Sequence, residues 1–323
     1  MRNCTKMKTK KKLISIVSPA YNEEKNIFPL IKDVTLVMKS LSSKYDYEYI
    51  LVDDGSIDGT WNKILEAAKK NKKIKGLSLS RNFGQQLAIT AGLDLVCGDC
   101  VIYCDSDLQH PPQVFSKLIE KWEKGAKVVH TQRLDSEDKR IIKKILSRLF
   151  YALVNLLSNT PIKPGMADFK LLDREIYTKL NKMRERSRFL RGMVPWLGYR
   201  SETVTYKAGK RNAGTPWYNV RRNITFAKDG ILAISTKPLV WIGYLGLALT
   251  IISFLAMAIS FVVMILKSDL RYISPVLILV MFNTFLFGIV LTSLGVVALY
   301  ISFLHQEIIK RPLYLVAKKV NVS

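Results

Sequence analysis

Cysteine is scarce in this chain. Four among 323 residues are too few for a disulfide scaffold. Three of them, Cys97, Cys100 and Cys104, sit in CGDCVIYC, but no fourth Cys or nearby His completes a zinc-like set. They read as buried structural thiols. Acidic residues are also short: 26 Asp+Glu against 50 Lys+Arg leave a net charge of +24. Such a balance points to phosphate, on nucleic acid, on anionic lipid or on a metabolite. No RNP, KH, zinc-finger or helix-turn-helix signature is present, which disfavours nucleic acid as partner. A Gly-rich phosphate loop near the first strand is missing too, so the pattern of a nucleotidyltransferase is absent. The stretch LISIV after the basic N-terminus is too short for a signal sequence.

Apolar residues, by contrast, are plentiful at 49%, which excludes a disordered basic tail. They are concentrated near the C-terminus. Residues 239–266 and 275–304 carry no charged side chain, and each exceeds the ~20 residues that span a hydrocarbon core. A buried core helix is the competing reading, but core helices rarely run so long without charge. The eight-residue connection KSDLRYIS makes the two runs a helical hairpin. Lys228, Lys237, Lys310, Arg311, Lys318 and Lys319 flank its outer ends, against Lys267 and Arg271 in the connection. By the positive-inside rule the outer ends face the cytoplasm. The expected organisation is a basic arm (1–12), a cytoplasmic domain (13–238), a multi-pass membrane hairpin (239–304) and a basic cytoplasmic tail (305–323).

Within 13–238, short β-branched runs alternate with helical patterns. Strands are expected at Leu13–Ser18, Tyr49–Val52, Ile74–Ser80, Val101–Cys104 and Lys127–Thr131. Helices are expected over about Glu23–Leu41, Gly59–Lys70, Gln85–Val96 and Pro112–Lys124. This alternation predicts an α/β fold with a mostly parallel open sheet and helices on both faces. Ligands of such sheets bind beyond the carboxyl ends of strands. Three polar clusters stand there: Pro19-Ala20-Tyr21-Asn22-Glu23, Asp53-Asp54-Gly55-Ser56 and Asp105-Ser106-Asp107-Leu108-Gln109. The carboxylates of Asp105 and Asp107, two residues apart, can share a Mg²⁺ or Mn²⁺ ion whose shell is completed by substrate phosphate.

Together SPAYNEE, VDDGSIDGT, LSRNFG and DSDLQHPP resemble the family-2 glycosyltransferases with the GT-A nucleotide-sugar fold. The segments Asp168-Phe169-Lys170-Leu171-Leu172-Asp173-Arg174 and Arg188-Phe189-Leu190-Arg191-Gly192 are similar to those of the polyprenyl-phosphate glycosyltransferases, relatives of dolichyl-phosphate mannose synthase. The hairpin and Lys310-Arg311-Pro312 resemble the bacterial branch acting on undecaprenyl phosphate. The resemblance implies an inverting transfer of a hexose, such as glucose or N-acetylglucosamine from a UDP sugar, to polyprenyl phosphate at the cytoplasmic membrane face. It implies that Pro19, Tyr21 and Glu23 line the nucleotide pocket, with Asp53 near the base and Asp105 by the ribose and diphosphate. Asp107 and Gln109 would hold the metal, Asp168 would lie near donor sugar and acceptor, and Arg133 and Arg211 would meet phosphates. The sugar and any homo-oligomeric state stay open.

The basic residues have two further candidate uses. Residues 139–159 read as an amphipathic helix with Lys139, Arg140, Lys143, Lys144 and Arg148 crowded in its first half. An interfacial helix of this kind would meet anionic membrane lipid and help seat the lipid phosphate through Lys144 and Arg148. A core helix is the alternative. Residues 207–222, with Lys210, Arg211, Arg221 and Arg222, read as a basic loop that the resemblance makes a lid. There are departures from the family pattern. Its G-D-F-R is Ala167-Asp168-Phe169-Lys170 here, and one Arg and a Ser-Lys pair are missing from the lid. The Q-x-x-R-W motif of processive polysaccharide synthases is absent. A non-catalytic, membrane-anchored sugar-nucleotide-binding protein is the rival reading, disfavoured by the intact Asp105, Asp107 and Gln109.

Overall fold

The computed structural model describes residues 11–134, 166–186, 188–207 and 275–322, with isolated positions between 241 and 255. The described residues up to 207 and from 311 onward belong to one compact unit, and those from 241 to 310 to a second. Arg211, Lys144 and Arg148, the amphipathic segment 139–159, the lid segment from 208 onward and most of the first apolar run lie outside the described residues.

The first unit is built on an eight-stranded mixed sheet. Its strands are β1 (Lys12–Ala20), β2 (Tyr45–Asp53), β3 (Ile74–Leu79), β4 (Cys100–Tyr103), β5 (Val128–Leu134), β6 (Met166–Asp173), β7 (Ser201–Lys207) and β8 (Val316–Val320). Their spatial order is β7-β5-β6-β4-β1-β2-β3-β8. The four strands from β4 through β1 and β2 to β3 are parallel, in line with the alternation in the sequence. The sheet is mixed because β6 runs antiparallel to both β4 and β5, and β8 runs antiparallel to β3. β7 pairs parallel with β5.

Helices cover both faces, as period-2 alternation in buried strands requires. Ile14 and Ile16 of β1 pack with α1 (Ile27–Ser40), α2 (Thr60–Lys70) and α4 (Phe115–Glu123). Val17 of β1 and Ile50 and Val52 of β2 pack on the other face with α3 (Gln85–Leu93), α5 (Arg174–Lys182) and α6 (Leu190–Trp196). In α4, Phe115, Leu118, Ile119 and Trp122 are all buried, the 3–4 spacing of an amphipathic helix. Helix α5 starts on an Asp173 cap whose carboxylate accepts from the Glu175 N–H at 3.0 Å. That carboxylate also accepts from Trp122 Nε1 at 2.8 Å, which ties α4 to the start of α5. Cys100 and Cys104 are buried thiols, as expected.

The segment 305–323, a basic tail by sequence, contains β8. Tyr314 Oη donates to Asp94 at 2.7 Å, and the Ser80 N–H donates to the Leu315 carbonyl at 2.9 Å. Asn321 Nδ2 donates to the carbonyls of Ala68 and Ile74 at 2.7 and 2.8 Å.

In the second unit, α7 (Pro275–Ile308) is a 34-residue helix, about 51 Å long at 1.5 Å per residue. Its window Phe285–Ser302, of mean hydropathy 2.2, is long and apolar enough to cross a membrane, and none of that window is buried. Its polar side chains turn back on their own backbone: Asn283 donates to the Leu279 carbonyl, Thr292 to Gly288 and Ser293 to Ile289. This satisfies hydroxyl and amide groups without water.

Candidate active site

Because β1, β2, β3 and β4 are parallel, their carboxyl ends form one edge, and the predicted clusters meet there. The register sets Ala20 beside Asp53, and the Asp54 N–H donates to the Ala20 carbonyl at 2.8 Å. The loops after β1 and β2 are stapled together. Asn22 N donates to Ser56 Oγ at 2.9 Å, Ile57 N to Asn22 Oδ1 at 3.1 Å, and Gly59 N to Glu24 Oε2 at 3.1 Å. Asn22 holds a positive φ of 55°, which Asn tolerates better than most side chains. Glu23 accepts from the Asn26 side chain, and its own N–H donates to Thr60 Oγ1 at 2.9 Å. Pro19 is tied through its carbonyl to the hydroxyl of Ser106 at 2.8 Å. Pro19 thus stands beside the Asp105 loop.

Asp53 and Asp54 look equivalent in sequence, yet both are buried and engaged within the fold. Asp53 accepts from Ser56 N at 3.0 Å and Ser78 Oγ at 2.8 Å. Asp54 accepts from Phe83 N at 2.8 Å and Gly84 N at 2.9 Å. Burial outweighs these two N–H donors and pushes the Asp54 carboxyl up to about 6. Gly55 completes this corner. It has a φ of 69°, and a Cβ there would lie 2.3 Å from the Arg81 backbone, so no side chain fits.

Around Asp105 the negative charge is dense. Burial first, then Asp168 and Asp107, push its carboxyl well above the usual range, against Arg191 and Gln85. Gln85 Nε2 donates to Asp105 Oδ1. Asp107 accepts from Gln109 N at 3.0 Å across Leu108, a non-glycine residue held at φ 63°. Gln109 Oε1 accepts from Arg133 at 3.0 Å, so a predicted metal ligand and a predicted phosphate contact are brought together.

His110 follows directly. The Asp105 N–H donates to its Nδ1 at 3.1 Å, which leaves the proton of the neutral ring on Nε2. Its ring stacks on Phe169 at 5.2 Å and meets the edge of Tyr206 at 5.9 Å. Burial holds its pKa down to about 4, despite nearby Asp107 and Asp168. His110 therefore carries no charge at neutral pH and acts as an aromatic wall that fixes the Asp105 backbone.

Asp168, on β6, is buried, and its Oδ2 is doubly held. Arg191 lies 2.9 Å away, and Gln86 Nε2 donates at 3.0 Å. Burial alone would raise this carboxyl, but Arg191 and then Lys170 hold it below the usual carboxylate range. Gln86 is a joint. It is the second residue of α3, and its Oε1 accepts from Leu190 N, the first residue of α6, at 3.2 Å. Arg188, three residues before Arg191, is spent inside: its Nε donates to Thr90 Oγ1 at 3.2 Å.

Gln85, Gln86, His110, Lys170 and Arg191 had no assigned role in the sequence. A signal existed, since each belongs to or adjoins a motif that carries the family resemblance. Their partners, 20 to 104 residues away for Gln85 and Gln86, were not legible.

Asp107 and Gln109 present only oxygen donors, which suits a hard divalent cation. Among the described residues no group of three or more His, Cys, Asp and Glu side chains could hold a metal. A cation at Asp107 would therefore have few protein ligands, the usual situation for Mg²⁺ that also binds substrate phosphate.

The fold is of the GT-A type, a mixed sheet with helices on both faces, and acids and an amide stand at the carboxyl ends of its parallel strands. Residues 15–180, more than half of the chain, match the family described as Glycosyl transferase family 2. The chain belongs to that family. It is 34% identical over 307 residues to a prophage-derived bactoprenol glucosyl transferase of Shigella flexneri, covering 94% of this chain and 97% of that one. An Escherichia coli prophage bactoprenol glucosyl transferase homolog is also 34% identical, over 94% and 98% of the two chains. An uncharacterized glycosyltransferase of Synechocystis is 36% identical over 94% of both. Among solved structures, mannosyl-3-phosphoglycerate synthase from Rubrobacter xylanophilus covers 69% of this chain and 72% of its own, with a TM-score of 0.48 and 18% identity.

Proposed function

We propose that this protein transfers a hexose from a UDP sugar to polyprenyl phosphate at the cytoplasmic face of the membrane, with inversion at the anomeric carbon. The observation that carries this reading is the meeting of Asp105, Asp107, Asp168, Gln109 and Arg133 at one sheet edge, in a chain similar over 94% of its length to bactoprenol glucosyl transferases.

The acceptor chemistry follows from its charge. A phosphate monoester has a second pKa near ~6, so its oxygen is already anionic at neutral pH. It needs no general base. Asp168 suits that requirement, because a carboxylate held low by Arg191 is a poor proton acceptor. Its role is to orient the donor sugar by accepting a hydroxyl hydrogen bond. The acceptor oxygen attacks the anomeric carbon as the bond to the diphosphate oxygen breaks, and the nucleoside diphosphate leaves with the electron pair. Arg133, beside Gln109, offsets charge as two anions are brought together. A Mg²⁺ or Mn²⁺ ion held by Asp107 and Gln109 would supply Lewis-acid stabilisation of the leaving diphosphate. Arg211, Lys144 and Arg148 are assigned to the lipid phosphate on sequence grounds.

Chain connectivity supports a multi-pass anchor. The chain leaves the sheet after β7 and rejoins it as β8. Any segment between them that crosses a bilayer must cross it an even number of times. The two apolar runs, 239–266 and 275–304, meet that condition as a hairpin, with flanking lysines and arginines toward the cytoplasm.

The test is direct. Membranes containing the protein are incubated with a panel of labelled nucleotide sugars, undecaprenyl phosphate and Mg²⁺ or Mn²⁺, and the lipid is extracted. Label should enter the lipid from one donor, vanish with chelator, return with added cation and be lost in Asp107→Asn. No labelled lipid from any donor, with nucleotide still bound, would favour the non-catalytic sugar-nucleotide-binding alternative.

A further inference from the structure

We propose that Lys170 is a positioning residue for sugar transfer: from inside the sheet, its ammonium fixes the carboxylate of Asp168 for the donor. This rests on the role given to Asp168 above. Two residues apart on β6, Asp168 and Lys170 project from the same face. Lys170 is fully buried, with 0% exposure, and its Nζ has no hydrogen-bond partner. Across the antiparallel β4–β6 ladder it stands opposite Tyr103. The Tyr103 hydroxyl is likewise buried without a partner, and so is Asp168 Oδ1. Three unsatisfied polar atoms, one cationic, one anionic and one hydroxyl, thus gather on one face of neighbouring strands. Burying an ammonium without hydrogen bonds is costly, and ordinary core residues at this position would avoid the cost.

The arrangement makes sense around Asp168. Arg191 and Gln86 hold Oδ2. Oδ1 is buried without a donor, and it is the oxygen left for a sugar hydroxyl once the donor sugar binds. A buried carboxylate with one oxygen open tends to take up a proton or rotate. Lys170 opposes both, because its charge favours the ionised carboxylate. Burial brings the Lys170 ammonium down to about 8 while Asp168 opposes that shift, so it remains mostly charged at neutral pH.

The experiment compares wild type, Lys170→Met, Lys170→Arg, Asp168→Asn and the Lys170→Met/Asp168→Asn double variant as full chains. Each is assayed for kcat, for KM of the nucleotide sugar and for melting temperature. Met is close to Lys in length and removes only the charge, so Lys170→Met should melt no lower than wild type. Its kcat should fall roughly tenfold to a hundredfold, the scale of losing one preorganised electrostatic contact, with KM changed by less than about threefold. Lys170→Arg should recover most of the loss. In the Asp168→Asn background, Lys170→Met should cost nothing further, because its target carboxylate is gone. If Lys170→Met misfolds, Lys170→Gln takes its place in the same cycle. A charge-removing variant with wild-type kcat, or losses that multiply in the double variant, overturns the proposal. A wild type that transfers no sugar would instead overturn the functional reading beneath it.

Discussion

Replacing Arg191 with Met removes the cation 2.9 Å from Asp168 Oδ2 and leaves a carboxylate buried to 2% exposure. At an effective dielectric near 20, unit charges at that separation attract by about 6 kcal/mol before desolvation is counted. Breaking a buried pair from one side costs ~3–5 kcal/mol in practice. Two features place this pair at the lower end or just beneath it. Gln86 and Lys170 still act on the carboxylate, and the Arg191 side chain is 31% exposed and so partly screened. A loss of about 2–3 kcal/mol corresponds to a melting temperature lower by roughly 5–10 °C for a domain of this size. The pH dependence of turnover has a definite sign. In wild type Asp168 is held below the usual carboxylate range, so it is ionised throughout neutral pH. In Arg191→Met, burial dominates and raises its pKa, so the ionised form accumulates only as pH rises. Turnover of the variant should therefore climb with pH across the neutral range, while that of wild type does not climb on account of this group. Adding Asp168→Asn to Arg191→Met should restore melting temperature, since it removes the stranded charge. The assays are thermal unfolding of the full chain in detergent and transfer of labelled sugar to lipid phosphate across pH. A melting temperature that falls further in the double variant, or a variant with the pH profile of wild type, would refute the reasoning.

Two other perturbations test the scaffold around the site. Asp54 has its carboxyl raised from 3.8 to about 6, so between those pH values the folded state keeps a proton that the unfolded chain releases. Its contribution to stability is greatest below about pH 4 and falls by about 3 kcal/mol as pH rises through 6. Unfolding measured from pH 4 to 7 should show this decline, and it should flatten in Asp54→Asn; an unchanged slope would show that Asp54 does not titrate there. Asn321→Ala removes two hydrogen bonds from the Ala68 and Ile74 carbonyls at a residue with φ of 54°. It should cost about 2 kcal/mol and make β8 more susceptible to limited proteolysis, whereas unaltered cleavage would mean that the bonds do not hold the strand.

Much of the site was legible because strand ends carry it. A β-branched run followed by acids is a local pattern, and it predicted β1, β2 and β4 with Glu23, Asp53, Asp105 and Asp107 at their ends. The same logic could not distinguish Asp53 and Asp54, both buried and held by hydrogen bonds within the fold, from the half-buried Asp107. That difference depends on Ser78, Phe83 and Gly84, which approach only when β3 lies beside β2. β8 was missed for a related reason. Lys318 and Lys319 make it look like a solvated tail, as charges on an edge strand do.

By itself the sequence determined the parallel centre of the sheet, the acidic strand ends, the apolar C-terminal helix and the excess of positive charge. These are local matters of propensity, periodicity and composition, and they hold wherever the segments end up. Only the tertiary structure decided which charges meet. The antiparallel entry of β6 beside β4 puts Lys170 opposite Tyr103 in the interior, and the packing of α3 and α6 brings Gln86 and Arg191 to one oxygen of Asp168. The physical reason is that a carboxylate's charge and orientation depend on burial and on neighbours a few ångströms away. Those neighbours come from segments distant along the chain.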